Sequence, residues 1–266
     1  MKKTVFFLLI ALSLSLSAQN TKKYHLPEMV LVKGGSFMMG SNKGYDDEKP
    51  VHKVILSDFY ISKYEITVQQ YREFCQATGH KFPSDPSPDW YEEHQNVGKW
   101  IWHDNHPIVN VSWYDAMAYC KWLSKITGET YTLPTEAQWE YAARGGQKSH
   151  GYEYAGSNNI KEVAWYDETT YERGTRPVGM LKPNELGIYD MSGNAFEWCL
   201  DGYGPYPKKT LRNPLLHPQS QYRVVRGGCW YYYDEYCRVT QRDGPKPNLN
   251  TFYYGFRVVK LKKRHK

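Results

Sequence analysis

Leu133-Pro134-Thr135-Glu136-Ala137-Gln138-Trp139-Glu140-Tyr141-Ala142-Ala143-Arg144-Gly145-Gly146 spells out both ends of a helix. Thr135 is an N-cap residue, and Gln138, three positions on, completes a capping box. Trp139, Tyr141 and Ala142 supply the body, and Gly145-Gly146 stops it. Two more segments carry the same punctuation. Thr67 and Gln70 open a helix whose apolar face is Val68, Tyr71, Phe74 and Cys75, with Gly79 after its end. Ser112 caps another, with Asp115 in the first turn, then Met117, Tyr119, Cys120, Trp122 and Leu123, then Gly128. Short apolar runs surround these helices. Met29–Val32, the glycine turn at Gly34-Gly35 and a second strand through Phe37 read as a hairpin. Val54–Leu56, Phe59–Ile61 and a last strand at Gly255–Val259 follow. Helices and short strands without βαβ alternation predict an α+β fold, a single loop-rich domain of about three helices and many short strands.

The two ends of the chain read differently. Met1-Lys2-Lys3, the apolar run Thr4–Leu16 and the small residues Ser17-Ala18 predict a secretory signal peptide over 1–18, cleaved near Ala18. The protein is therefore expected to be exported, periplasmic or secreted. Residues 19–27 read as a linker, 28–260 as the domain and 261–266 as a basic tail. That tail inflates the net charge of +6. Without a basic stripe or nucleic-acid motif, no nucleic-acid partner is expected. No later apolar run is long enough for a transmembrane segment.

The chemistry has to be sought at Arg226–Cys237, Arg-Gly-Gly-Cys-Trp-Tyr-Tyr-Tyr-Asp-Glu-Tyr-Cys. Gly227 and Gly228 allow positive φ or a close backbone approach. Cys229 and Cys237 bracket a run of aromatics, a pattern that fits a packed strand, a disulfide loop or a thiol site. Export permits disulfides, and five cysteines (75, 120, 199, 229 and 237) leave at least one unpaired. Cys75 and Cys120, on apolar helix faces, read as inert core thiols. Arg238, Arg242 and Arg257 are cations that could lower the pKa of Cys237. Trp230, Tyr231, Tyr232 and Tyr233 offer an aromatic binding surface. So does the Phe82–His106 stretch, with three prolines and three tryptophans and no periodicity. His52, His103 and His106 are too scattered for a zinc spacing.

Asp190 and Glu197 lie seven positions apart around the glycine turn of Asp190-Met191-Ser192-Gly193-Asn194-Ala195-Phe196-Glu197. Two carboxylates and the intervening carbonyls can wrap a calcium ion, and they can equally form a plain surface turn.

Taken in order, several phrases resemble the formylglycine-generating enzyme, or sulfatase-modifying factor, family. They are MVLVKGGSFMMG at 29–40, Tyr64-Glu65-Ile66-Thr67 and HPIVNVSW at 106–113, followed by LPTEAQWEYAARGG at 133–146. GIYDMSGNAFEW at 187–198, Arg226-Gly227-Gly228 and Gly255-Phe256-Arg257 complete the set. The resemblance implies a fold related to C-type lectins. It also implies copper- and oxygen-dependent oxidation of a sulfatase cysteine to formylglycine. The family holds copper(I) with cysteines at the fourth and ninth positions after Arg-Gly-Gly and has serine at the first. Here those positions are Tyr232, Cys237 and Cys229, so this is a divergent member lacking one of the two catalytic cysteines. The family's calcium site maps onto Asp190, the carbonyls of Gly193 and Ala195, and Glu197. A second family calcium site is not expected, because Ala164-Trp165 stands where its Ala-Asn pair would begin.

Two functions follow. The first is an exported, calcium-stabilised domain that binds a peptide, protein or glycan partner without the copper oxidase site. The second is a formylglycine-generating oxidase that converts a sulfatase cysteine with a non-standard Cys229/Cys237 pair and Cu+.

Overall fold

The computed structural model describes residues 24–262. The expected signal peptide and the last four residues of the basic tail lie outside them. The described residues hold five α-helices, α1 Val68–Thr78, α2 Pro88–Glu93, α3 Trp113–Thr127, α4 Glu136–Ala143 and α5 Asp167–Thr170, among short strands and 3-10 turns. The α+β expectation holds. The three helices legible in the sequence carry their caps as written: Thr67, Ser112 and Thr135 each accept from the backbone N–H three residues on. Gly79 and Gly128 close α1 and α3 in the left-handed conformation that costs glycine least. Helices α2 and α5 are additions, short turns inside stretches that lack apolar periodicity.

The strands pair by long-range contact rather than by neighbouring turns. Met29–Val32, Phe59–Ser62, Val259–Lys260 and Tyr131–Thr132 form one four-stranded sheet, in that order. Arg242–Asp243, Arg223–Arg226, Phe196–Gly202 and Tyr254–Gly255 form a second. Gly35–Met39 pairs with His52–Leu56, which takes Leu211–Arg212 on its other edge. The hairpin expected between Met29–Val32 and the strand after it is therefore corrected. Met29–Val32 pairs antiparallel with Phe59–Ser62 instead, and the two neighbours in sequence sit in different sheets. A Cβ on Gly34 would lie 2.3 Å from the Leu56 carbonyl oxygen, so the turn is pressed against a third strand.

Two apolar cores result. Helices α1 and α3 face each other through Tyr71 and Tyr119, whose rings stack at 6.0 Å, with Phe74 against Trp122 at 5.6 Å. Cys75 and Cys120 are buried there, and burial pushes the Cys75 thiol up to about 11, as expected for inert core sulfurs. Tyr24 packs edge-on against Trp122 at 5.2 Å, so the end of the expected linker lies on this layer. The second core surrounds α4, whose carboxylates Glu136 and Glu140 are wholly buried. Each is met by arginine: Glu136 by both Nε and Nη2 of Arg242 at 2.7 and 2.9 Å, and Glu140 by Arg226. Among the described residues, no helix is long and apolar enough to cross a membrane.

Candidate functional site

The Arg226–Cys237 loop leaves the second sheet where Arg226 pairs in register with Glu197. Gly227 and Gly228 both take positive φ, 99° and 72°. A Cβ on Gly227 would crowd the Trp139 ring at 3.2 Å, and one on Gly228 would meet the Cys237 sulfur at 2.7 Å. The glycine pair thus turns the chain inward and lets Cys237 pack on bare backbone. Cys229 and Cys237 are each 0% exposed. Burial pushes the Cys229 thiol up to about 12. Burial first, then the neighbouring Cys229, Asp234 and Asp167, pushes Cys237 well above the ordinary thiol range.

All five cysteines are free, which corrects the disulfide expectation. Cys229 is held in the core of α1 and α3, Cys199 in the core of α4, and Cys237 in a small third cluster with Tyr154, Val163, Ala164 and Tyr166. The arginines near Cys237 in sequence do not act on it as free cations. Arg242 is committed to Glu136, Arg257 to Glu197, and Arg238 to Glu48 through Nη2 at 2.8 Å.

The expected aromatic surface splits. Trp230 is 0% exposed and donates its Nε1–H to the Phe252 carbonyl at 2.7 Å, so it belongs to the core and is corrected as a surface residue. Its position follows from the Phe82–His106 segment, which folds over it: Trp90 and Trp100 lie 6.5 and 6.3 Å from its ring. Tyr231 and Tyr232 are half-buried, and Tyr233 is 64% exposed. Tyr231 stacks parallel to Tyr253 at 6.4 Å and lies 4.5 Å from the His94 ring. Beside them a cleft of about 350 Å³ has Trp90, His94, Phe252 and Tyr253 on its aromatic side and Ser84, Asp85, Ser87, Glu93, Asn110, Asn250 and Thr251 on its polar side. An aromatic wall facing a row of hydroxyl, amide and carboxylate groups suits a peptide or sugar ligand.

The Asp190–Glu197 turn is built around a carboxylate that sequence spacing does not reveal. Glu65 Oε1 accepts from the Ala195 N–H at 3.1 Å, and its Oε2 from Asn194 Nδ2 at 3.0 Å. Asp190, at positive φ, accepts from the Gly179 N–H at 2.7 Å. Glu197 takes Arg257 Nε and Nη2 at 2.6 and 2.7 Å, with Trp139 Nε1 on the same Oε2 at 2.7 Å. Burial, then Asp190 and Glu197, pushes Glu65 well above the usual carboxylate range. Burial likewise pushes Asp190 up to about 6. Three carboxylates thus share one guanidinium. The signal for Glu65 was present in the Tyr64–Thr67 phrase, yet nothing local says that it reaches across 130 residues to this turn.

The family described as "Sulfatase-modifying factor enzyme 1-like domain" matches residues 14–262. The chain is 35% identical to the chaperone protein LppX of Paenibacillus barcinonensis, over 86% of this chain and 89% of that one. It is 33% identical to the formylglycine-generating enzyme of Streptomyces coelicolor, over 86% and 88%. Other curated relatives, from Chlamydia, are longer proteins, and the chain spans 38% of their length. Among solved structures it is similar to PvdO from Pseudomonas aeruginosa, with a TM-score of 0.72 and 29% identity over 89% of this chain and 95% of that one.

Proposed function

The chain belongs to the sulfatase-modifying factor family, and from that premise we propose that it is a binding member, not a copper oxidase. The observation that carries this reading is the state of the loop cysteines. At the fourth position after Arg-Gly-Gly stands Tyr232, whose hydroxyl burial pushes up, and at the ninth stands Cys237, a fully buried thiol. A phenol is a harder ligand than a thiolate, and a buried thiol gives up its proton reluctantly, so the two do not fit a copper(I) pair. Cys229 neighbours Cys237 but is equally enclosed. The fold itself leaves the activity open, since relatives of comparable identity are named a chaperone and a formylglycine-generating enzyme.

The surface left for a partner is Tyr231, Tyr232 and Tyr233 with the adjacent cleft of Trp90, His94, Phe252 and Tyr253. A peptide or protein segment, a sulfatase among them, or a glycan matches its aromatic walls. Calcium at the turn belongs to the same reading. Glu65, Asp190 and Glu197 leave a buried excess of negative charge over Arg257, which a hard cation with oxygen ligands would offset. Asp190 and the carbonyls of Gly193 and Ala195 would hold it and brace the turn, and Glu197 would join them only by giving up Arg257, which takes both of its oxygens. Export after cleavage near Ala18 completes the proposal.

The test is conversion against binding. Mature protein, copper(I)-loaded, is incubated aerobically with a thiol reductant and a Cys-x-Pro-x-Arg peptide, and the product is read by mass spectrometry. No aldehyde is expected. Copper-dependent aldehyde that disappears in Cys237→Ala overturns the reading. The same peptide and a panel of soluble glycans are then titrated against tyrosine and tryptophan fluorescence, with Tyr231→Ala and Tyr233→Ala expected to weaken whichever binds.

A further inference from the structure

A second cavity, of about 240 Å³, lies where the end of the Phe82–His106 segment meets residues 173–176. Lys99, His103, His106, Arg173 and Arg176 line it, and no aspartate or glutamate does. We propose that this pocket is a binding site for a compact oxyanion, a phosphate or sulfate monoester group.

These basic groups are set apart by what they lack. Elsewhere the protein gives its enclosed arginines carboxylates: Glu140 for Arg226, Glu48 for Arg238, Glu136 for Arg242 and Glu197 for Arg257. Arg176 has none. Its guanidinium donates only to carbonyls, Thr170 at 3.1 Å, Gly174 at 3.4 Å and Thr175 at 3.5 Å, while its carbon stands 6.0 Å from the Trp165 ring. Among the described residues, Lys99, His103, His106 and Arg173 have no carboxylate partner either. Of the nearby acids, Asp104 pairs with Arg72 and Glu168 with Lys161 at 3.5 Å, while Asp167 and Glu172, which flank Arg173 on its other side, do not line this pocket.

The pocket is also held in shape. His106 Nδ1 is fixed by Thr175 Oγ1 at 3.0 Å, and its ring lies 4.9 Å from that of His103. Gly174, at positive φ, lets the Trp100 ring close one side, 3.2 Å from where a Cβ would stand. Like charges gathered without a counter-ion repel one another. Burial, then His103 and Arg176, pushes His106 down to about 4, and burial with Arg173 lowers Arg176. An oxyanion accepting from guanidinium and imidazole N–H groups would relieve that repulsion, and charge-assisted bonds of this kind are among the strong ones. The pocket backs onto the aromatic cleft through Trp100, whose ring lies 5.8 Å from Trp90 and 4.9 Å from Phe252, but the two share no lining residue, so a different set of side chains tests it.

The test uses mature protein and four probes at constant ionic strength: inorganic phosphate, inorganic sulfate, and the phosphate and sulfate monoesters of one sugar. Binding is read by calorimetry and by the fluorescence of Trp100, with chloride as the reference anion. Saturable binding above the chloride background is expected, falling about tenfold in Arg176→Gln and in Arg173→Gln. The two monoesters distinguish a phosphate source from a sulfate source. If all anions act alike at equal ionic strength, or if the folded variants bind as well as the parent, the proposal fails. Should Arg176→Gln not fold, Arg173→Gln and Lys99→Gln, both at exposed positions, carry the same comparison.

Discussion

Arg257 grips Glu197 through two parallel bonds, Nε to Oε2 at 2.6 Å and Nη2 to Oε1 at 2.7 Å, with both side chains wholly buried. The pair ties the last segment of the chain to the strand that follows the Asp190–Glu197 turn. The guanidinium also donates to the Ser62 carbonyl at 3.1 Å and the Tyr189 carbonyl at 2.8 Å, so one residue joins both four-stranded sheets to that turn. Removing one partner of such a pair strands the other charge in a dry site. Arg257→Ala is expected to cost about 3–5 kcal/mol in chemical denaturation, whereas Lys63→Ala, which breaks the exposed Lys63–Glu28 pair, is expected to leave the unfolding midpoint nearly unchanged.

Gly228 is irreplaceable for two reasons at once. Its φ of 72° disfavours any side chain, and a Cβ would meet the Cys237 sulfur at 2.7 Å and the Tyr236 carbonyl at 2.8 Å. Gly228→Ala is expected to lose on the order of 3 kcal/mol. Gly98 is the control, because a Cβ there would stand in open space and its φ is not positive. Gly98→Ala is expected to leave the unfolding midpoint nearly unchanged.

Much of this was legible in the chain. The caps at Thr67, Ser112 and Thr135 are local chemistry, written within four residues, and they stand as read. The pairing of Met29–Val32 was not legible, because a glycine turn signals a hairpin only when the next strand is free to fold back. Trp230 illustrates the other gap. An aromatic run reads equally as surface or core, and the choice is made by the distant Trp90 and Trp100 that cover it. Glu65, Glu136 and Glu140 look like ordinary helix-start and helix-face acids, and only their arginine and amide partners far along the chain show that they are interior.

The buried thiols give a direct chemical prediction. With Cys229 held up to about 12 and Cys237 well above the ordinary range, neither forms thiolate at neutral pH, and both sulfurs are covered. Iodoacetamide at about pH 8 is expected to leave the native protein unmodified at both positions and to label all five cysteines after unfolding. Rapid labelling of Cys237 in the folded protein would contradict the enclosed loop and revive the oxidase reading.

The raised carboxylates at the turn tie the proposed calcium to pH. A carboxyl whose pKa is pushed up on folding keeps its proton where the unfolded chain has lost it, so stability falls as pH rises through that interval. For Asp190, raised from 3.8 to about 6, the loss is complete above about pH 6 and amounts to roughly 3 kcal/mol. Glu65 shifts in the same direction. Calcium at this turn, as proposed above, would bind only the charged form and offset that cost, so the rise in thermal midpoint on adding calcium over EGTA should be larger near pH 8 than near pH 5. Asp190→Asn keeps an oxygen ligand but has no proton to lose, so in EGTA its midpoint falls less between the same two pH values. Scanning calorimetry of parent and variant at both pH values measures both effects. A calcium increment that is absent, or equal at the two, would remove the metal from the turn and leave Arg257 as its only counter-charge.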